Sequence, residues 1–259
     1  MAGLSYDTPA ILKVFAERKS IHFPLLSDSD SKIIRQLGIL NEDVPKTSPV
    51  YGIPHPGTYI LDRDGKVVAK YFEEDYKQRY TAADILVQRY GVHPEAQSIE
   101  IEGKQIKAVT SASNSIVRTG QRVALVLDLE LKPGMHVYAP GVEGYIPIDW
   151  KMTVSELATA HEATYPKPEI LFLQAINEKV PVFKGKVRLT RDVTIGADAT
   201  IQKATDVSGQ FSIMGTLRYQ ACDDHMCYIP QELPLRWMFT YEGYDRERVP
   251  AELQRKAPQ

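Results

Sequence analysis

A chain of 259 residues is long enough for one or two domains, each with a sizeable core. Its 43% hydrophobic and 25% charged residues describe an ordinary globular protein. A net charge of -2 and a pI near 6.3 give no electrostatic reason to expect nucleic acid as a partner, and no run approaches the roughly 18 apolar residues that direct insertion of a membrane helix requires.

The first residues, Met1-Ala2-Gly3-Leu4-Ser5-Tyr6-Asp7, lack the basic and apolar regions of a signal peptide, and none is expected in this chain. Leu4-Ser5-Tyr6 reads as a strand. Thr8 caps a helix with Pro9 at its first position, and Ile11, Val14 and Phe15 give it an apolar face. Phe23-Pro24-Leu25-Leu26 is a short extended segment. Ser29 or Asp30 opens a second helix carrying Ile33, Ile34 and Leu37, stopped at Gly38. A long loop over 40–57 is punctuated by Pro45, Pro49, Pro54 and Pro56. Thr58–Leu61 and Val67–Phe72 flank Asp62-Arg63-Asp64-Gly65, a hairpin signal too short for a calcium loop. Thr81 with Asp84 three residues on forms a capping box for a third helix, Ala82–Tyr90, ended by Gly91.

In this half, Pro56-Gly57-Thr58-Tyr59-Ile60-Leu61-Asp62-Arg63-Asp64-Gly65 resembles the stretch of the thioredoxin-like AhpC/TSA redoxin family that begins with a cis-proline. Gly3–Asp7 and Phe23–Asp28 fit that family in the same order. The resemblance covers residues 1–92 and implies a thioredoxin-like α/β fold with a cis bond before Pro56. In that family the catalytic cysteine lies on a strand-to-helix turn upstream of everything matched here, and residues 1–92 hold no cysteine. This half is therefore not expected to run peroxidase or thioredoxin chemistry by itself. A fragment that starts downstream of the catalytic turn is the first expectation, because a fold without its first strand exposes a sheet edge; a docking module is the alternative.

Residues 93–97, His93-Pro94-Glu95-Ala96-Gln97, are polar and proline-marked and read as a linker. Beyond them the pattern turns to β. Ile99 and Ile101 alternate with Glu100 and Glu102. Val123, Leu125, Leu127, Leu129 and Leu131 form the cleanest alternation in the chain, turned by Lys132-Pro133-Gly134. Val187, Leu189, Val193 and Ile195 continue the theme. Short strands with Gly and Pro turns predict a β-sandwich over 98–246 and a frayed polar tail over 247–259. The stretch 151–180 shows no clear period, and Pro166-Lys167-Pro168 excludes a long helix there.

Both cysteines fall between two alternating runs, Phe211–Tyr219 and Leu235–Tyr241. Two strands and a short connection make a hairpin, which brings Cys222 and Cys227 within bridging reach. A bridge closing so small a loop stabilises by only about 2 kcal/mol, so redox work is preferred to a structural staple. A soft-metal site from Cys222, His225, Met226 and Cys227 is the third reading. Against it, a closed zinc site needs a second ligand pair, and His22, His55, His93, His136 and His161 are scattered singly. His225 would lower a neighbouring thiol pKa, whereas Asp223 and Asp224 would raise it by like-charge repulsion.

The run Tyr219-Gln220-Ala221-Cys222-Asp223-Asp224-His225-Met226-Cys227-Tyr228-Ile229-Pro230-Gln231, followed by a strand containing Trp237, resembles the N-terminal periplasmic domain of the DsbD thiol:disulfide interchange family. Gly134-Met135-His136-Val137-Tyr138 is similar to the strand that places aromatics beside that family's cysteines. Val182-Phe183-Lys184-Gly185-Lys186-Val187 is similar to its cap loop. The resemblance spans residues 95–245 and implies an immunoglobulin-like β-sandwich that hands electrons to other thiol proteins. Cys227 would form the mixed disulfide and Cys222 would resolve it. Phe183 would cap the bridge, with His136, Tyr138, Tyr219 and Tyr228 shielding it. The implied partners are thioredoxin-like redox proteins, with no cofactor and no metal, in the periplasm or another extracytoplasmic space. Two alternatives stand beside this expectation. One is a peroxiredoxin-type antioxidant protein whose catalytic cysteine lies upstream of this chain; the other is a non-enzymatic module with an inert bridge or a metal.

Overall fold

The computed structural model describes residues 1–72, 80–92, 97–173, 177–245 and 247–254. The chain forms two compact units, Met1–Arg79 with Asp245–Gln259, and Tyr80–Tyr244.

In the first unit, β1 (Gly3–Ser5) pairs in parallel with β2 (Leu25–Ser27) through the crossover helix α1 (Pro9–Arg18). Thr8 Oγ1 accepts from the Ile11 N–H, and Pro9 takes the first helical position, where its missing N–H is no loss. Ile11 and Leu12 are the buried side chains of this helix. Asp28 and the expected Asp30 together cap α2 (Lys32–Gln36): the Asp28 carboxylate accepts from the Ile33 and Ile34 N–H groups, and Asp30 Oδ1 accepts from the Lys32 N–H. β3 (Gly57–Leu61) and β4 (Val67–Phe72) form the expected hairpin. Asp62 Oδ1 accepts from the Asp64 and Lys66 N–H groups, and Gly65 takes a φ of 79° that other residues rarely adopt. Asp245 pairs with Lys19 at 2.7 Å and Arg18 at 3.2 Å, which ties the start of the tail to the end of α1.

The bond before Pro56 is trans, which corrects the expectation drawn from the redoxin likeness; no described peptide bond is cis. The His55 N–H donates to Ile39 O, and Pro54 bridges Leu40. The chain thus already runs extended into β3, the conformation favoured before a proline.

The second unit opens with α3 (Ala82–Tyr90), capped by Thr81 Oγ1 accepting from the Asp84 N–H and closed by Gly91. Its strands are β5 (Ile99–Glu102), β6 (Ile106–Ala112), β7 (Ile116–Val117), β8 (Arg122–Leu131), β9 (His136–Tyr138), β10 (Asp149–Met152), β11 (Ala158–Thr164), β12 (Glu169–Leu173), β13 (Glu178–Lys184) and β14 (Lys186–Ile195). After α4 (Asp198–Ala204) come β15 (Gln210–Tyr219), β16 (Ala221–Cys222) and β17 (Gln231–Tyr241). One sheet has the order β11-β14-β8-β6-β5 and a second β10-β15-β17-β7. Their inner faces enclose one core, in the immunoglobulin-like sandwich arrangement. Val123, Leu125, Leu127 and Leu189 from one sheet meet Leu217, Tyr219, Leu235 and Phe239 from the other. Trp150 and Trp237 stack at 5.5 Å within it, and Trp237 Nε1 donates to Ser111 O at 3.0 Å. A third sheet, β12-β13-β9-β16, completes the unit.

Helix α3, expected at the close of the first half, packs on the sandwich instead. Val87 covers Ala124 and Val126, two of the outward residues of β8. Gln88 bonds to Asp192 and Thr190, and Thr81 to Asn114. These bonds flank an apolar patch, Ala124 and Val126, on an outward face of β8 that otherwise carries Arg122, Asp128 and Glu130. The expected linker, 93–97, falls almost wholly outside the described residues.

Candidate functional site: a disulfide loop where two sheets meet

The cysteine loop begins where the chain changes sheets. β15 runs antiparallel to β17 up to the pair Tyr219↔Gln231. After the single residue Gln220, β16 pairs with β9 in the third sheet, as Ala221↔Val137 and Cys222↔His136. The loop then doubles back at once. Cys227 bridges Cys222 in antiparallel fashion, the Asp223 N–H donates to Met226 O, and the Tyr228 N–H donates to Ala221 O. Cys222 and Cys227 form a disulfide with S–S 2.02 Å and Cα atoms 4.0 Å apart.

Asp223 builds the turn. Its Oδ1 accepts from the His225 and Met226 N–H groups, and its Oδ2 accepts from the Tyr228 hydroxyl, each at 2.8 Å. These bonds hold its carboxyl below the ordinary carboxylate range, and the bond to Asp223 raises the Tyr228 phenol. Asp223 is therefore a turn brace, while Asp224 and His225 are exposed on its tip. The two sulfurs differ sharply in access: Cys222 is 2% exposed, Cys227 is open to solvent.

Sheet register decides which side chains meet the bridge. Directly paired residues share a face of a sheet, and successive residues alternate. β9 pairs with β13 as Tyr138↔Val182, Val137↔Phe183 and His136↔Lys184. One face therefore carries Cys222, His136, Tyr138, Val182 and Lys184, and the other Ala221, Val137 and Phe183. The packing agrees: Cys222 clusters with Tyr138, Val180 and Val182, whereas Phe183 is in the main core.

The placement of Phe183 corrects the expected cap. The residue belongs to β13, 4% exposed, with its ring 6.4 Å from that of Tyr165 and on the face away from the bridge. Gly185, with φ 60°, turns the chain directly into β14, so no loop is present to swing the ring over the sulfurs. Tyr219 is likewise a core residue, fully buried on the inner face of β15, and does not shield the bridge. Tyr228 braces the turn through Asp223.

Tyr138 and His136 do lie beside the bridge. Tyr138 Oη is 3.9 Å from Cys227 Sγ, and since a disulfide sulfur carries no proton, the hydroxyl is the donor. Tyr138 meets His136 edge-on at 5.6 Å. Burial, and then Glu178, raise the Tyr138 phenol, which keeps it a donor. A residue that the sequence reading missed, Tyr145 from the loop between β9 and β10, stacks on Tyr138 at 4.3 Å. Its hydroxyl donates to Glu178 Oε2 at 2.8 Å, a bond that pushes its pKa up to about 12. The cover over the bridge is thus a pair of stacked tyrosines, anchored by a carboxylate. Its only sequence signal is an aromatic directly after a glycine-flanked turn, Gly141 to Gly144, with no period to mark it.

Both cysteine sulfurs of the suggested metal site are bonded to each other, and no group of three or more His, Cys, Asp and Glu among the described residues could hold a metal ion. No helix among the described residues is long and apolar enough to cross a membrane.

Comparison with known proteins gives two matches in chain order. Residues 1–70 match the AhpC/TSA family, and residues 104–234, half of the chain, match the family described as thiol:disulfide interchange protein DsbD, N-terminal. Peroxiredoxin Bcp of Escherichia coli is 35% identical over 75 residues, covering 29% of this chain and 46% of its own. A putative peroxiredoxin of Mycobacterium tuberculosis is 34% identical over 68 residues, covering 26% of this chain and 43% of its own. The chain thus spans less than half the length of these relatives. Among solved structures, the N-terminal periplasmic domain of ScsB from Proteus mirabilis aligns with a TM-score of 0.38 and 15% identity, over 60% of this chain and 49% of that one. The reduced DsbD N-terminal domain of Neisseria meningitidis aligns with a TM-score of 0.31 and 13% identity, over 45% of this chain and 80% of that one.

Proposed function

Since the chain belongs to the family of the DsbD N-terminal domain, we propose that its sandwich performs thiol-disulfide exchange between protein dithiols through Cys222 and Cys227. The observation that carries this reading is the asymmetry of the bridge, one sulfur buried and one open. Exchange requires in-line access to one sulfur and a leaving sulfur behind it. In the reduced protein the Cys227 thiolate, receiving the Tyr138 O–H, attacks a partner disulfide. That forms a mixed disulfide and releases one partner thiolate. Cys222 then attacks Cys227 Sγ, the internal bridge forms, and the second partner thiolate leaves. Two electrons pass to the partner, and each step reverses when the partner is the reductant.

Partners are thioredoxin-like dithiol proteins, met in an extracytoplasmic compartment. Met226 (56% exposed) and Ile229 (81% exposed) flank Cys227 and supply an apolar contact for them. Trapping tests the reading. A Cys222→Ser variant should hold an oxidised thioredoxin-like protein in a covalent complex released by dithiothreitol, and Cys227→Ser should hold none. Equal trapping by both variants would contradict the assigned order.

A second reading draws on the AhpC/TSA match of residues 1–70. Here the sandwich supplies electrons to a peroxiredoxin-type reaction whose peroxide-reactive cysteine lies outside these 259 residues, because both cysteines of the chain are in the bridge. Peroxide turnover that survives in a Cys222→Ser, Cys227→Ser double variant would contradict this reading.

A further inference from the structure

His136 is 2% exposed, and its Nε2 has no hydrogen-bond partner among the described residues. A buried polar nitrogen left unpaired is destabilising, a cost that an apolar ring at this position would avoid. Its location is specific: Lys184, His136 and Cys222 form one row across three neighbouring strands, on a single face. Side chains paired in this way have Cβ atoms about 4.5–5.5 Å apart, so the imidazole stands beside the buried sulfur. In the disulfide that sulfur has no proton to exchange. In the mixed-disulfide state it is a thiol, sealed from water, and it must lose a proton before it can attack.

We propose that His136 is the base that takes the Cys222 thiol proton when the mixed disulfide on Cys227 is resolved. This rests on the exchange reading above and adds the proton path to it. The Cys222 S–H bond breaks, its proton goes to Nε2, and the sulfur's electron pair forms the Cys222–Cys227 bond. The Cys227–partner S–S bond breaks, and the partner leaves as a thiolate. Run backwards, the imidazolium returns the proton to Cys222 as it leaves.

The surroundings keep the ring in its neutral, accepting form. Burial, and then Lys184 from β13, lower its pKa, while Asp224 and Asp223 from the loop partly oppose them. Tyr138, from the same strand, meets the ring edge-on and stays protonated. Exposed His225 lies farther along the loop.

The test uses the full reduced chain with oxidised glutathione as the probe, stopping the reaction with acid and weighing the products. The decay of glutathionylated Cys227 into the internal disulfide is followed from pH 5.5 to 9.5. His136→Phe keeps a ring of similar size; His136→Gln keeps hydrogen bonding but cannot titrate. Near pH 7 both variants should resolve at least tenfold more slowly than the parent, at the low end of what a positioned base contributes. The gap should close above pH 9, where a thiol ionises unaided. Coinciding pH profiles for parent and variants would overturn this proposal alone. A full parental rate in His136→Gln would do the same, by showing that hydrogen bonding and not titration matters. A parent that forms no glutathionylated intermediate would sink the exchange reading, and this proposal with it.

Discussion

Replacing Phe183 with alanine separates a core residue from a cap. The ring is 4% exposed, sits opposite Val137 on the inner face, and packs against Tyr165. Deleting it removes a buried aromatic and leaves a cavity between strands that cannot fully collapse, a loss of about 3–5 kcal/mol. With a urea slope of about 2 kcal/mol per molar, the unfolding midpoint should fall by about 1.5–2.5 M. Both tryptophans, Trp150 and Trp237, are in the sandwich, so intrinsic fluorescence reports this unit. Under native conditions the rate of reduction by glutathione should change by less than about twofold, because the ring faces away from the bridge. Fast reduction with an unshifted midpoint would refute the assignment and put Phe183 over the disulfide.

Tyr145→Ala should do the reverse. It removes a stacked pair worth about 0.5–1.5 kcal/mol, so reduction by glutathione through an opened Tyr138 should rise about 2- to 10-fold, with little change in the urea midpoint. Asp223→Ala should abolish hydrogen-exchange protection of the His225 and Met226 amides. In the parent that protection is present above the ordinary carboxylate value of 3.8 and is lost as pH falls through the lowered folded value. Burial raises Asp192, so its ionisation opposes folding. Sandwich stability should therefore decline as pH rises from 3.8 through the raised folded value, and Asp192→Asn should flatten that decline in thermal melts taken between pH 3.5 and 7.

The alternating runs Val123–Leu131, Phe211–Tyr219 and Leu235–Tyr241 announced three core strands, and the helix caps Thr8 and Thr81 were readable as local chemistry. The cysteine pair was readable for the same reason, being set by a turn of four residues. What stayed hidden depends on long-range register. Val182 and Phe183 are neighbours, and pairing with β9 alone decides which of them faces the bridge; a slip of one residue would exchange them. The docking of α3 has a local sign: Ala124 and Val126 put an apolar patch on the outward face of β8, and such a patch needs cover. Around Pro56, His55 and Pro54 are held by Ile39 and Leu40, some 15 residues upstream, contacts that no local motif encodes.

The most direct measurement is the reduction potential of the Cys222–Cys227 couple. The chain is equilibrated in dithiothreitol redox buffers, its free thiols are alkylated, and the two forms are counted by mass. An exchange-active bridge should titrate above about -300 mV, in the range of dithiol oxidoreductases. A potential well below that value would mark an inert staple and contradict the proposed function.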